Sequence, residues 1–258
     1  MARKQSLEAA VEGLKRFLSE KEDSNEEVAA KIEKLTAELR RIDVAPIDPT
    51  EMIKRGFNYF KTNNFDKHRE FYHELAESQH PKFLVFACSD SRVSPSIILN
   101  FKPGDAFMVR NIANMVPAFD QLRYSGVGAA IEYAVSVLEV PNILIIGHSR
   151  CGGIQRLMTH PEDGSLPFDF IDEWVKIGKP AAAKVKATFG NLPIEEQCAH
   201  CEREAVKLSL INLLTYPYVR TGIAKKKLQL MGGYYNFVEG SFHVWNFETR
   251  FSPTVDMQ

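Results

Sequence analysis

The sequence predicts an α/β protein: a mainly parallel central sheet flanked by helices, with an N-terminal helical extension and an antiparallel C-terminal edge strand. Three observations predict it. Short, almost wholly apolar runs recur at 82–88, 105–109 and 142–147, as in strands buried on both faces. Segments of helix length separate them, as parallel strands require. The opening 45 residues instead carry apolar residues at helical spacing with charges between.

Taken in order, Leu7, Val11, Leu14 and Leu18 mark one helix, and Val28, Ile32, Leu35 and Leu39 a second. Asp23-Ser24-Asn25 divides them, and Pro46 with Pro49 stops the second. The expected division is an arm over 1–48 and an α/β domain over 49–258. Helices are expected over 51–62 and 67–78, then the strand ending in Cys88. After the second strand, Val127, Ile131, Ala134, Val135 and Leu138 mark a crossover helix over 124–140, ended by Pro141. Further helices are expected over 168–189 and 194–214. Alternating, aromatic strands at 228–238 and 242–247 close the chain.

At 258 residues, the chain can bury about 70–75% of its unfolded surface and needs neither disulfide nor metal merely to fold. Lys+Arg 32 against Asp+Glu 33 leaves a net charge of −1, too little positive charge for nucleic acid. No apolar run approaches the roughly 20 residues of a membrane span. Four cysteines (Cys88, Cys151, Cys198, Cys201) are too few for a disulfide scaffold. The first residues show no apolar signal core and are acidic from Glu8 onward. The expected compartment is therefore the cytoplasm, or the chloroplast stroma if a transit peptide has been removed.

The chemistry lies where polar residues follow apolar strands. Cys88 opens Cys88-Ser89-Asp90-Ser91-Arg92 after one strand, and His148 opens His148-Ser149-Arg150-Cys151-Gly152-Gly153 after another. Open parallel sheets bind ligands beyond the carboxyl ends of their strands. If the two strands are neighbours, Cys88, His148 and Cys151 converge on one crevice. Two thiolates and an imidazole suit zinc, and three protein donors leave a fourth position for water. Two thiolates neutralise much of the ion's charge, so help nearby is needed to activate that water. Asp90 is placed to accept its hydrogen bond, and Arg92 to hold the carboxylate ionised and away from the metal. The amides of Gly152 and Gly153, opening a helix, make a candidate anion site. A serine-hydrolase elbow over Gly147-His148-Ser149-Arg150-Cys151 is the rival, but its fifth residue is Cys where the turn wants Gly.

These paired motifs resemble the β-class carbonic anhydrases. The wider text (Phe86-Ala-Cys-Ser-Asp-Ser-Arg-Val, Val109-Arg-Asn-Ile-Ala-Asn, Gly126-Val-Gly-Ala-Ala-Ile-Glu-Tyr-Ala, Gly232-Gly-Tyr-Tyr) is similar to the plant-type branch. The likeness spans roughly residues 50–250. It implies reversible hydration of carbon dioxide to bicarbonate and a proton, with one zinc per subunit on Cys88, His148 and Cys151. Asp90 and Arg92 would be the catalytic dyad. It implies a small substrate pocket of Gln79, Phe107, Ile112, Tyr133 and the Gly152 amide, with Gln79, Phe107 and Tyr133 supplied by the partner subunit. It further implies a homodimer with sites at the subunit interface, assembling to an octamer through the C-terminal strand. Where some relatives carry a proton-relaying His, this chain has Val137, and where plant relatives often have Cys and Ala it has Ser94 and Arg150. Cys198-Ala-His-Cys201 sits in a helical stretch and is expected to be structural.

Overall fold

The computed structural model describes residues 48–161 and 167–247. The helical arm expected over 1–48 lies, but for its last residue, outside the described residues. Two compact units meet in sequence at Tyr72 and His73, and each is described by itself.

In the first unit, α1 (Pro49–Phe60) starts where Asp48 accepts the Thr50 amide at 3.0 Å, with Pro49 at a position where the missing N–H costs nothing. The helix continues as one wider turn over Lys61–Phe65. The rings of Phe60, Phe65 and Tyr72 gather at 5.1–6.5 Å. The helix α2 (Arg69–Glu77) runs across the boundary into the second unit.

The second unit is built on a five-stranded sheet of order β2-β1-β3-β4-β5, where β1 is Phe83–Cys88, β2 Ala106–Asn111, β3 Asn142–His148, β4 Gln229–Asn236 and β5 Ser241–Asn246. The first four strands run parallel, and β5 pairs antiparallel with β4 as the edge. Residues 84–88 and 143–148 are buried throughout, which is why β1 and β3 read as unbroken apolar runs rather than alternating ones. The crossover between β2 and β3 is α4 (Ser125–Glu132), continued by a wider turn over Tyr133–Val137. A short α3 (Pro95–Ile98) follows β1, and α5 (Gly152–Met158) follows β3. Among the described residues, no helix is long and apolar enough to cross a membrane.

The helix expected over 168–189 is three pieces: α6 (Ile171–Val175), a tighter turn over Lys176–Gly178, and α7 (Lys179–Phe189). Two residues break it. Pro180 has no N–H to give the preceding turn. A methyl group at Gly178 would lie 2.5 Å from Leu157 and 2.8 Å from Met115, so this backbone is pressed onto the core. The long α8 (Ile194–Leu213) matches expectation. A further helix, α9 (Pro217–Ala224), was not expected, although Pro217 at its first turn is a start signal. One core cluster, with Leu84, Phe86, Ile143, Ile145 and Leu210, lies on one face of the sheet. Another, with Cys88, Cys151, Ile154, Leu157 and Val185, reaches up to the strand ends that carry the polar residues.

Candidate active site

Strands β1 and β3 are neighbours in register, Ala87 beside Ile146, so their carboxyl ends open on the same crevice. Cys88 ends β1, His148 ends β3, and Cys151 follows one turn later as the residue before α5. All three are buried, and their Sγ and ring-nitrogen atoms lie within 4.8 Å of one another. Among the described residues, this is the one group of three or more such side chains so close together.

The fit to a metal ion rests on His148. Its Nδ1 donates to the Ser149 carbonyl at 2.9 Å, which fixes the tautomer with Nε2 bare. That Nε2 is buried and has no hydrogen-bond partner among the described residues. A lone pair left so would cost about 1–3 kcal/mol unless something else satisfies it, and it faces two sulfurs. Two thiols and one imidazole nitrogen are a donor set that zinc favours. The Cys151 S–H beside the Cys88 sulfur favours its thiolate against burial. The Cys88 sulfur, with burial, pushes the Cys151 thiol up, while the amides of Ile154 and Gly153 act the other way. The helix-start amides thus serve the Cys151 sulfur. Gly153 is fixed by packing, since a methyl there would lie 2.7 Å from Ile112 Cγ2 and 2.9 Å from Ala113 Cβ.

Asp90 and Arg92 stand at the lip of the crevice as a two-pronged pair. Arg92 Nε donates to Asp90 Oδ1 at 2.9 Å, and its terminal nitrogen to Oδ2 at 2.6 Å. The Arg92 backbone amide also donates to Oδ1 at 2.9 Å. The guanidinium holds the Asp90 carboxyl well below the usual carboxylate range. Arg92 is itself placed by the Arg150 carbonyl at 3.2 Å and by the Phe237 ring, 4.4 Å below its guanidinium carbon. Phe237 also stacks on His148, with ring centroids 6.1 Å apart. Arg110 clasps the main chain of the same turn, donating to the Cys88 carbonyl at 2.9 Å and to the Asp90 carbonyl at 2.7 Å.

The five expected pocket residues fall into two sets. Ile112 packs beside Gly153, and Gly152 precedes it, so both belong to the crevice end of the sheet. Phe107 is level with Leu84, four residues or about 13 Å down the strand from the level of Cys88. Tyr133 keeps company with Phe107, its ring 5.7 Å away, and Gln79 precedes β1 at the opposite end of the sheet. Within one chain, Gln79, Phe107 and Tyr133 therefore do not reach the crevice that holds Cys88.

Several residues around the site escaped sequence reasoning. In the sequence Phe237 is one of several aromatics in the stretch 228–238, Arg110 lies inside a strand, and Glu202 lies in a charged helix. None has a local spacing that signals its partner. The serine-hydrolase elbow finds no support, because Ser149 Oγ is engaged by the Phe237 amide at 3.0 Å and His148 Nδ1 faces the Ser149 carbonyl. A cavity of about 590 Å³ lies behind the 149–151 turn, bordered by Cys151, Cys198, Glu202 and Tyr234. Burial pushes the Cys198 thiol up to about 11 and the Cys201 thiol to about 12, as befits structural cysteines.

The fold and the three converging donors define an α/β protein with a candidate transition-metal centre at the carboxyl end of its sheet. A family model described as carbonic anhydrase matches residues 83–242. The chain is 51% identical over 251 residues to beta carbonic anhydrase 3 of Arabidopsis thaliana, a match covering 96% of this chain and 97% of that protein. Among solved structures, the β-carbonic anhydrase CcaA superposes with a TM-score of 0.71 at 31% identity, over 76% of this chain and 87% of that one. The β-carbonic anhydrase CafA of Aspergillus fumigatus gives 0.68 at 28% identity, over 77% and 91%. A structure from a study of two tetrameric β-carbonic anhydrases of Sordaria macrospora gives 0.67 at 27% identity, over 77% and 98%. The chain belongs to the β-class carbonic anhydrase family, enzymes of the lyase class.

Proposed function

We propose that this chain catalyses the reversible hydration of carbon dioxide to bicarbonate and a proton, with one zinc ion per subunit held by Cys88, His148 and Cys151. The observation that carries this is the bare, buried Nε2 of His148 set against two thiols, in a chain of this family. A zinc ion bound there supplies a Lewis acid that brings the ionisation of water toward neutrality.

The chain's own residues do the rest. Asp90, ionised through its pairing with Arg92, takes a hydrogen bond from the attacking water and orients it toward the carbon atom. Arg92 keeps both carboxylate oxygens engaged, so Asp90 serves as an acceptor rather than as a fourth ligand. Arg110, by clasping the Cys88 and Asp90 carbonyls, fixes the ligand and the carboxylate to one rigid turn. Carbon dioxide carries no charge or net dipole to grip, so an apolar wall suits it, and Ile112 with the Gly152 amide forms the near side.

The far side is assigned to a second copy. Phe107 and Tyr133 pack together some 13 Å down the strand from the donors, so a partner subunit would have to present its own Gln79, Phe107 and Tyr133. Apolar side chains left largely exposed in the second unit, Ile97 at 81%, Leu122 at 95% and Val137 at 62%, support a homodimer. The paired edge strand β5 is the candidate contact through which dimers would assemble into an octamer. Stopped-flow hydration of carbon dioxide, run beside metal analysis, tests the proposal. Hydration that rises and falls with zinc content is expected, and a zinc-loaded protein with no hydration above the uncatalysed rate would refute it.

A further inference from the structure

Glu202 is a buried carboxylate that the reaction does not use. It lies on α8 and is 3% exposed. Burial raises its carboxyl, and among the described residues no ion pair to it is seen. A side chain of this kind is rare inside a protein unless its oxygens are fully engaged.

Both oxygens are engaged, one by the metal-site turn and the other by a residue of β4. Oε1 accepts the backbone N–H of Cys151 at 3.1 Å, and Oε2 accepts the Tyr234 hydroxyl at 2.7 Å. The Arg150 backbone N–H also favours the ionised carboxylate. Arg150 adopts the left-handed conformation, φ +52°. A left-handed residue within a turn brings successive amides to one side and makes an anion-holding concavity. Here the anion is a side chain of the same protein. A non-glycine residue with positive φ carries a conformational cost that the surroundings must offset, and the bond from the next residue's amide to the buried carboxylate helps do so.

The packing that delivers Glu202 is equally specific. A methyl at Gly147 would lie 2.7 Å from Val206 Cγ2 and 3.2 Å from the Glu202 carbonyl, so α8 presses onto β3 at a point only glycine permits. Tyr234 is level with Gly147 on the adjacent strand, which puts its hydroxyl beside the carboxylate. The Arg203 guanidinium carbon lies 3.7 Å from the centre of the Tyr234 ring and covers it.

We infer that Glu202, held by Tyr234, is a positioning residue for the metal site: it fixes the Arg150–Cys151 turn so that the Cys151 sulfur stays within reach of His148 and Cys88. This rests on the zinc reading above. Glutamine at 202 keeps the shape but has one acceptor oxygen: with it on the Cys151 amide, its NH2 must donate to a Tyr234 hydroxyl that has turned round, and with it on Tyr234, its NH2 faces the Cys151 N–H, so the carboxylate's charged grip on the turn is lost either way. Partners that orient metal ligands are typically worth about 10- to 100-fold in affinity.

The test is zinc affinity of the full-length chain, measured by competition with a chromophoric chelator, beside thermal melts of the metal-free proteins. Glu202→Gln is expected to bind zinc about 10- to 100-fold more weakly, and Tyr234→Phe about three- to tenfold more weakly. Glu204→Gln, a change to a carboxylate that pairs instead with Lys184 and Lys207, should bind as the wild type does. A merely structural role would lower the melts without changing affinity. Zinc affinities of Glu202→Gln and Tyr234→Phe within twofold of the wild type would overturn the inference. If Glu202→Gln does not fold, Tyr234→Phe, which loses only a hydroxyl, decides alone. A wild type that binds no zinc would instead overturn the metal reading itself.

Discussion

Replacing Asp90 with Asn separates metal binding from catalysis. The side chain keeps its shape, but its new NH2 group faces the Arg92 guanidinium, which now makes charge-assisted bonds of 2.9 and 2.6 Å. Arg92 stays in place, because the Arg150 carbonyl and the Phe237 ring hold it independently. The cost to stability is small: Arg92 is half exposed, and pairs at such positions contribute about 0–1 kcal/mol. The cost to turnover is large. A positioned proton acceptor is worth about 10²- to 10⁴-fold, or roughly 2.7–5.4 kcal/mol of barrier. The variant is therefore expected to hold one zinc per chain, melt near the wild type, and hydrate carbon dioxide at least about 100-fold more slowly at neutral pH. Stopped-flow indicator assays with metal analysis measure both quantities. Because Arg92 depresses the Asp90 carboxyl, the group is ionised above the usual carboxylate range and stays so as pH falls into it. Activity lost on mild acidification is thus not lost through Asp90. Zinc-replete Asp90→Asn with activity within a few-fold of the wild type would refute the role.

Cys151→Ser replaces a buried sulfur donor of the proposed site and should lose zinc on dialysis, with hydration falling in step; metal analysis checks it. Gly153→Ala forces a methyl to 2.7 Å from Ile112 and 2.9 Å from Ala113, and should cost about 1–3 kcal/mol in chemical denaturation. Gly152→Ala meets nothing among the described residues within 4 Å and should change stability by less than about 0.5 kcal/mol, so equal losses at the two positions would contradict the packing described. Burial raises the thiols of Cys198 and Cys201 to about 11 and about 12, so both are neutral at pH 7. Alkylation followed by mass spectrometry should find them slow there, with Cys198 accelerating as pH rises toward 11.

What could be read from the sequence depended on whether the signal was local. The buried strands were legible because β1 and β3 are covered on both faces and so are apolar without a break. Cys88 and His148 stood out because each ends such a run, and a polar residue there interrupts a pattern that burial would otherwise continue. The neighbourhood of the two strands, on which their convergence depends, is a matter of pairing that no spacing encodes. Glu202 reaches the Cys151 amide across 51 positions and Phe237 reaches His148 across a sheet, so neither contact leaves a trace in local spacing. The broken helix at 171–189 shows the converse. Its apolar spacing continues through Gly178, and only the packing of Leu157 and Met115 against that glycine reveals why the backbone tightens.

On the proposed function, Cys88, His148 and Cys151, distant in the chain, hold one ion and leave it open to solvent. X-ray absorption at the zinc edge of the full-length protein tests this most directly. Two sulfur donors, one imidazole nitrogen and a fourth light donor that exogenous anions can replace are the predicted result. A shell of four protein donors, or one with fewer than two sulfurs, would contradict it.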